Sequence, residues 1–258
     1  MLIASFPNQC EDRYTTLLSP DGSWLAESCT SGDFLVLKRD GTSKIDVSYD
    51  KLFGNVDQVC ASASPLHWTR DNRYLYFIRD EGCWESPPWH HLAVNYMGSV
   101  FKLDTQTGTW SIFIENDGLD FYSFSPTERR VIQGSGSNLY LHDLKTGDEQ
   151  SISLNDYVDI GAVVWSPDGL AFAFAAQKSI DPISDPYDYK YSVFLYNIQN
   201  QKLKSIITDS LDRRVPQEWT ADGILLIPLA DYSNDPILGQ TLYYNINTLS
   251  FVTATPIP

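Results

Sequence analysis

Two adjacent histidines, His90 and His91, are the residues of this chain whose type most directly suggests metal chemistry. Neighbouring side chains of an extended strand point to opposite faces, so both would bind one ion only within a tight loop. The four cysteines lack the C-x-x-C spacing of zinc sites, and the carboxylates match no EF-hand-like calcium loop. We therefore predict no metal site and no cofactor.

Paired carboxylates are a second source of chemistry, because glycoside cleavage uses two carboxyl groups about 5–9.5 Å apart. The acidic residues near the centre of the fold predicted below are Glu27, Asp120, Asp159, Asp212 and Glu218. Nothing in their spacing marks two of them as a pair. No Gly-x-Ser-x-Gly motif occurs, so a serine hydrolase is not indicated. The sequence therefore predicts no catalytic residue.

A repeated turn indicates which elements position these residues. Its five copies read LLSPDG from Leu17, HWTRDN from His67, SFSPTE from Ser123, VWSPDG from Val164 and EWTADG from Glu218. Proline presets φ at the first turn position, and glycine accepts a positive φ. Because an apolar stretch follows each copy, we expect each turn to join two strands of a β-hairpin.

A third and a fourth apolar segment follow each hairpin, separated by a second polar turn. Four antiparallel strands with a period of roughly 40–55 residues are typical of propeller blades. Aromatic residues make up 13% of the chain, and no run has apolar residues at helical spacing. We predict an all-β fold, a β-propeller with five four-stranded blades; six blades, one of them irregular, is the alternative.

The predicted blades fill the chain. Residues 1–258 are assigned to a single β-propeller domain. Its blades cover approximately 10–50, 58–116, 119–155, 158–208 and 212–258.

The two turns resemble the WD40-like repeats of TolB-type β-propellers, which carry an aromatic-Ser-Pro-Asp-Gly turn and a later Asp-x-x-Thr-Gly turn. The first motif is complete at Ser19–Gly22 and Ser166–Gly169, and the second is clear at Asp104–Gly108. The resemblance covers nearly the whole chain, although neither a sixth copy nor the extra domain of TolB is present. It implies that Asp21 and Asp168 make turn hydrogen bonds and are not catalysts.

The four cysteines all lie in the first two predicted blades. Folding each hairpin about its turn brings Cys60 almost level with Cys83, and Cys10 within a few residues of Cys29. Opposed positions on antiparallel strands suit a disulfide. Two hairpin disulfides would indicate an oxidising compartment. The other two pairings, and four buried free thiols, remain alternatives.

Long segments concentrate on one predicted face, where the second and third strands of a blade connect. They are Asp80–Ser99, Gln177–Tyr191 and Ala230–Gln240, which we expect to be loops. Aromatic rings beside polar groups suit a protein, peptide or glycan ligand. The predicted binding residues are Trp84, Trp89, His90, His91, Tyr96, Asp185, Tyr187, Tyr189 and Tyr232.

The formal net charge of −15 argues against a nucleic-acid partner, since phosphate backbones are bound by clustered Lys and Arg. No run of about 18 apolar residues is present, so no membrane span is expected. The opening MLIASFPNQ lacks the basic region of a signal peptide. We expect an exported bacterial protein, periplasmic or on the cell surface, whose leader precedes this sequence; a cytoplasmic protein is the alternative.

These observations favour a noncatalytic binding propeller of TolB-like type, which recognises a protein, peptide or glycan through its long-loop face. A glycan-cleaving enzyme with paired carboxylates near a central pocket is the alternative, because five-bladed propellers resemble those of some glycosidases. A third possibility is a propeller that covers a neighbouring subunit in a larger assembly.

Overall fold

The fold is almost entirely β-strand. The computed structural model describes residues 13–29, 34–47, 52–54, 62–80, 92, 96–115, 119–181, 185–228 and 241–253. The predicted all-β class is confirmed, and the described strands form five four-stranded antiparallel blades of the β-propeller type. The chain divides into two compact units, residues 1–85 with 96–119 and residues 86–95 with 120–258.

Unit 1 contains blades one and two, each a meander in chain order. Blade one consists of β1 Arg13–Leu18, β2 Trp24–Cys29, β3 Phe34–Lys38 and β4 Lys44–Val47. Blade two consists of β5 Ser62–Trp68, β6 Tyr74–Asp80, β8 Val100–Asp104 and β9 Thr109–Ile114. The two-residue strand β7 Tyr96–Met97 precedes β8 along the chain and is not part of this four-stranded sheet. The rings of Phe34, Phe77 and Phe101 stack in series with centroids 4.9 and 5.4 Å apart.

Unit 2 contains blades three to five. Blade three consists of β10 Leu119–Phe124, β11 Arg130–Ser135, β12 Asn138–Asp143 and β13 Glu149–Ser153. Blade four consists of β14 Asp159–Trp165, β15 Ala171–Asp181, β16 Asp185–Asn197 and β17 Lys202–Ser210. Blade five consists of β18 Arg214–Trp219, β19 Gly223–Pro228, β20 Leu242–Asn245 and β21 Ser250–Thr253. The hydrophobic cores of unit 2 lie between neighbouring blades. Phe172 and Phe174 of blade four belong to the core shared with blade three, and Ile224 and Leu226 of blade five belong to the core shared with blade four.

The repeated turn forms the predicted hairpin connection. In blade four, Ser166 Oγ donates to Asp168 Oδ1 at 2.6 Å and accepts from the Ala171 amide at 2.9 Å. The hydrogen bond from Ser166, followed by that from the Leu170 amide, lowers the pKa of Asp168 below its usual value. Gly169 follows at φ +67°, where only glycine is unstrained. The turn role that the family resemblance implied for Asp168 is confirmed.

The tryptophan before the turn links blade two to blade one and blade four to blade three. Trp68 Nε1 donates to the carbonyl oxygen of Leu17 at 3.1 Å, and Trp165 Nε1 donates to Ser123 Oγ at 3.1 Å. Both acceptors lie two residues before the turn serine of the preceding blade. The repeat therefore specifies a contact between blades as well as a turn.

We expect Trp68→Phe to lower the free energy of unfolding by about 1–3 kcal/mol, because it removes the indole N–H that Leu17 accepts and leaves a small void. Trp110→Phe is the matched control, since the described contacts of Trp110 are ring contacts with Phe77 and Phe101. Urea unfolding of both variants measures the difference. Equal losses in the two variants would show that the indole hydrogen bond contributes nothing.

Candidate functional site

The hairpin of β15 and β16 extends beyond the other strands of blade four. Strand β14 begins at Asp159, which pairs with Gln177, whereas β15 and β16 continue to the pair of Asp181 with Asp185. The prediction that Gln177–Tyr191 forms a loop is therefore wrong. Tyrosines at every second position from 187 to 191 follow the period of a strand, and this alternation outweighed the nearby prolines and aspartates.

Tyrosines and an arginine lie along this extended hairpin. The rings of Tyr189 and Tyr191 meet edge to face with centroids 6.5 Å apart. The guanidinium of Arg213, just before β18, lies 5.5 Å from the centroid of the Tyr191 ring. Tyr189 and Tyr191 are each half-buried. The arrangement combines aromatic surface with a cation, which suits recognition of a polar ligand.

At the level of Tyr191, a row of polar side chains crosses the sheet. The backbone register places Asp159, Gln177 and Tyr191 side by side on β14, β15 and β16. Asp159 is 4% exposed, and its Oδ2 accepts a hydrogen bond of 2.9 Å from the Leu92 amide. Leu92 is itself buried, and it packs on Ala175.

Gln177 differs from its neighbours in this row. Its side chain is 1% exposed, yet neither Nε2 nor Oε1 has a hydrogen-bond partner in the part of the chain that the structure describes. Gln177 is not among the predicted residues, because a single glutamine at the end of the apolar run AFAFAAQ carries no motif. Leu92 and Arg213 were not predicted either, because their contacts are with distant strands.

Most of the predicted binding residues have side chains outside the part of the chain that the structure describes. Trp84, Trp89, His90, His91 and Tyr232 lie outside the described residues, as do Cys10, Cys60 and Cys83. Asp185 and Tyr187 lie on β16 and Tyr96 on β7, but their side chains are outside the described part. The remaining two are Tyr189, on the extended hairpin, and Cys29, buried at the end of β2 opposite Arg13.

The candidate carboxylates fall in different surroundings. Asp159 binds the Leu92 amide, and Asp212 pairs with the Arg214 guanidinium at 2.6 Å. Glu27 is fully buried in β2 of unit 1, whereas Glu218 is exposed in β18 of unit 2. The backbone of Asp120 lies in β10, but its side chain is outside the described part. No catalytic pair emerges among the side chains that the structure describes.

The described residues contain no group of three or more His, Cys, Asp or Glu side chains placed to hold a metal ion. Burial, together with nearby Arg70, lowers the pKa of His67 to about 4, so this imidazole is neutral at pH 7. His142 Nε2 lies 2.9 Å from Gln133 Oε1. His67 lies on β5 and His142 on β12, within the sheets of their blades.

Comparison with solved structures places the fold among β-propellers. An ancestral GH74 enzyme matches with a TM-score of 0.60 and 13% identity over 96% of this chain and 33% of that chain. Porphyromonas gingivalis dipeptidyl peptidase 4 matches with 0.57 and 13% over 97% and 40%, and a putative TolB from Agrobacterium tumefaciens with 0.51 and 14% over 94% and 80%.

This chain thus spans less than half the length of the first two of these structures. No family model and no curated protein sequence matches it. No helix in the described residues is long and apolar enough to cross a membrane. At such low identity the structural matches show the fold alone, and the resemblance to TolB-type repeats is supported at that level.

Because Asp159 holds the Leu92 amide, we expect Asp159→Ala to increase the hydrogen-exchange rate of that amide by about tenfold or more. Asp159→Asn keeps a carbonyl oxygen in the same place, so its increase should be smaller. Exchange followed by NMR on both variants measures the effect. An unchanged rate in Asp159→Ala would contradict this role for the carboxylate.

Proposed function

We propose that this chain is a noncatalytic binding propeller, which recognises a protein, peptide or glycan through the extended end of blade four. The observation that carries the proposal is the Tyr189–Tyr191 pair, with Arg213 beside it. These tyrosines lie on a hairpin that extends beyond the other strands of blade four. Rigid aromatic rings and arginine are the side chains that most often anchor interfaces. The propeller neighbours include a putative TolB, an ancestral GH74 enzyme and a dipeptidyl peptidase, so the proposal rests on the site and not on the fold.

We do not propose the glycan-cleaving alternative. A glycosidase needs one carboxyl group free to protonate the leaving oxygen and a second to act as base or nucleophile. Of the candidate carboxylates in unit 2 whose side chains the structure describes, Asp159 accepts a hydrogen bond from a backbone amide, Asp212 pairs with a guanidinium, and Glu218 is exposed on β18. The single-domain assignment of residues 1–258 is part of the proposal.

We expect Tyr189→Ala to weaken binding to the ligand by about 2 kcal/mol or more, as the loss of an interface anchor does, with little change in melting temperature. Ligands are identified by screening the full chain against glycan and peptide arrays, and their affinities are then measured by calorimetry. Trp89→Ala, in the segment predicted to share this face, should act in the same way.

The matched control is Tyr140→Ala, in β12, the third strand of blade three, which should leave ligand affinity unchanged. If Tyr189→Ala instead lowers the melting temperature and leaves affinity intact, Tyr189 packs the hairpin and the binding site lies elsewhere.

We also propose an extracytoplasmic location, supported by the expected pairing of Cys10 with Cys29 and of Cys60 with Cys83. Cys29 is buried, and the described part of the chain contains no free thiol. Mass spectrometry of a nonreduced digest should recover these two pairs. Four alkylatable thiols in the native protein would move the assignment to the cytoplasm.

A further inference from the structure

Leu92 occupies a small pocket between blades four and five, and its contacts are those of a bound peptide residue. Its backbone N–H donates to Asp159 Oδ2 at 2.9 Å. Its side chain packs with Ala175 of β15 and Val215 of β18, and Ile227 of β19 packs against the same cluster. An acceptor for a backbone N–H beside an apolar pocket is an arrangement that selects an extended peptide with an aliphatic side chain.

Gln177 supplies a second polar group beside this pocket. Side chains alternate along β15, so Gln177 lies on the same face as Ala175, two residues earlier. The Gln177 carboxamide is 1% exposed and has no hydrogen-bond partner among the described residues. Buried polar groups without partners are rare in native proteins, and each needs an explanation. Leu92 therefore satisfies Asp159 but leaves the neighbouring carboxamide unsatisfied.

We propose that Asp159, Gln177 and the adjacent apolar pocket form a binding site for an extended peptide, which Leu92 occupies in cis. This inference rests on the proposed binding function and names the peptide as its ligand class. A peptide group donates one hydrogen bond and accepts another, which complements a carboxamide. A separate peptide is not covalently joined to β6 and β8, as the segment that contains Leu92 is. It can therefore hydrogen-bond Asp159 and Gln177 at the same time.

The lining of the pocket favours a peptide over a sugar. Ala162, Ala175, Val215 and Ile227 are aliphatic, and a sugar ring is held best by a flat aromatic face. The aromatic residue of this cluster is Tyr191, and the Arg213 guanidinium already lies over its ring.

The first experiment adds the segment that contains Leu92 as a separate peptide. The probe is a fluorescent peptide with the sequence SPPWHHLAVN, residues 86–95 of this chain, titrated against the full chain and its Leu92→Ala variant. The variant should bind at least about tenfold more tightly than the unmodified chain, because its pocket is no longer filled in cis. Adding Asp159→Ala or Gln177→Leu to the variant should each reduce affinity about tenfold.

A probe with Asp in place of its Leu should not bind. Equal binding of both probes, no binding to Leu92→Ala at millimolar concentration, or full binding after Gln177→Leu would overturn the proposal. Leu92→Val replaces Leu92→Ala if the latter does not fold. The assay needs no natural partner, so its failure leaves the proposed function at Tyr189 standing. If the Tyr189 test fails while the probe binds, the binding function is retained and its site is the pocket of Asp159 and Gln177.

The second experiment tests the premise without a ligand. Gln177→Leu in the otherwise unmodified chain should raise the melting temperature by about 2 °C or more, because it removes a buried unsatisfied amide. Gln133→Leu is the matched control: its carboxamide bonds His142, so its loss should lower the melting temperature. A fall in melting temperature for Gln177→Leu would show that the carboxamide is already bonded in the free protein, and would overturn the inference.

Discussion

The hydrogen bonds of the Ser-Pro-Asp-Gly turn are the interaction on which the rest of the structure depends. The serine hydroxyl donates to the aspartate two residues later and accepts from the amide five residues later, and blade one repeats the pattern of blade four. These bonds fix where the first strand of a blade ends and the second begins. The register of the hairpin then decides which side chains face the neighbouring blade.

The position of the tryptophan follows from that register. Placed one residue before the turn, Trp68 and Trp165 each bond the preceding blade at the same site of its first strand. A single four-stranded sheet cannot bury its apolar faces alone, so such contacts with a neighbour are a condition of stability. Burial of Phe172 and Phe174 in a shared core of blades three and four meets the same condition.

The two ends of a blade differ in how much of their structure the sequence predicts. The turns carry local motifs, so all five hairpins and the role of Asp168 could be derived from residues a few positions apart. The far end of blade four could not, since its long hairpin resembled a loop in its content of Pro and Asp. The bond between Leu92 and Asp159 joins residues 67 positions apart, and no local pattern encodes such a contact.

The same difference between the two ends of a blade explains where a binding site can form. Both repeated turns lie at one end of the blades, where their hydrogen bonds restrict the residues allowed. Examples are the Ser-Pro-Asp-Gly turn at Ser166–Gly169 and the Asp-x-x-Thr-Gly turn at Asp143–Gly147. At the opposite end no motif recurs, and strand length varies from six residues in β2 to eleven in β15. Polar side chains at that end are not restricted by a repeated motif. A carboxamide such as that of Gln177, which has no partner among the described residues, can therefore persist at that end, because the turn bonds and the core between blades already supply the stability of the sheet.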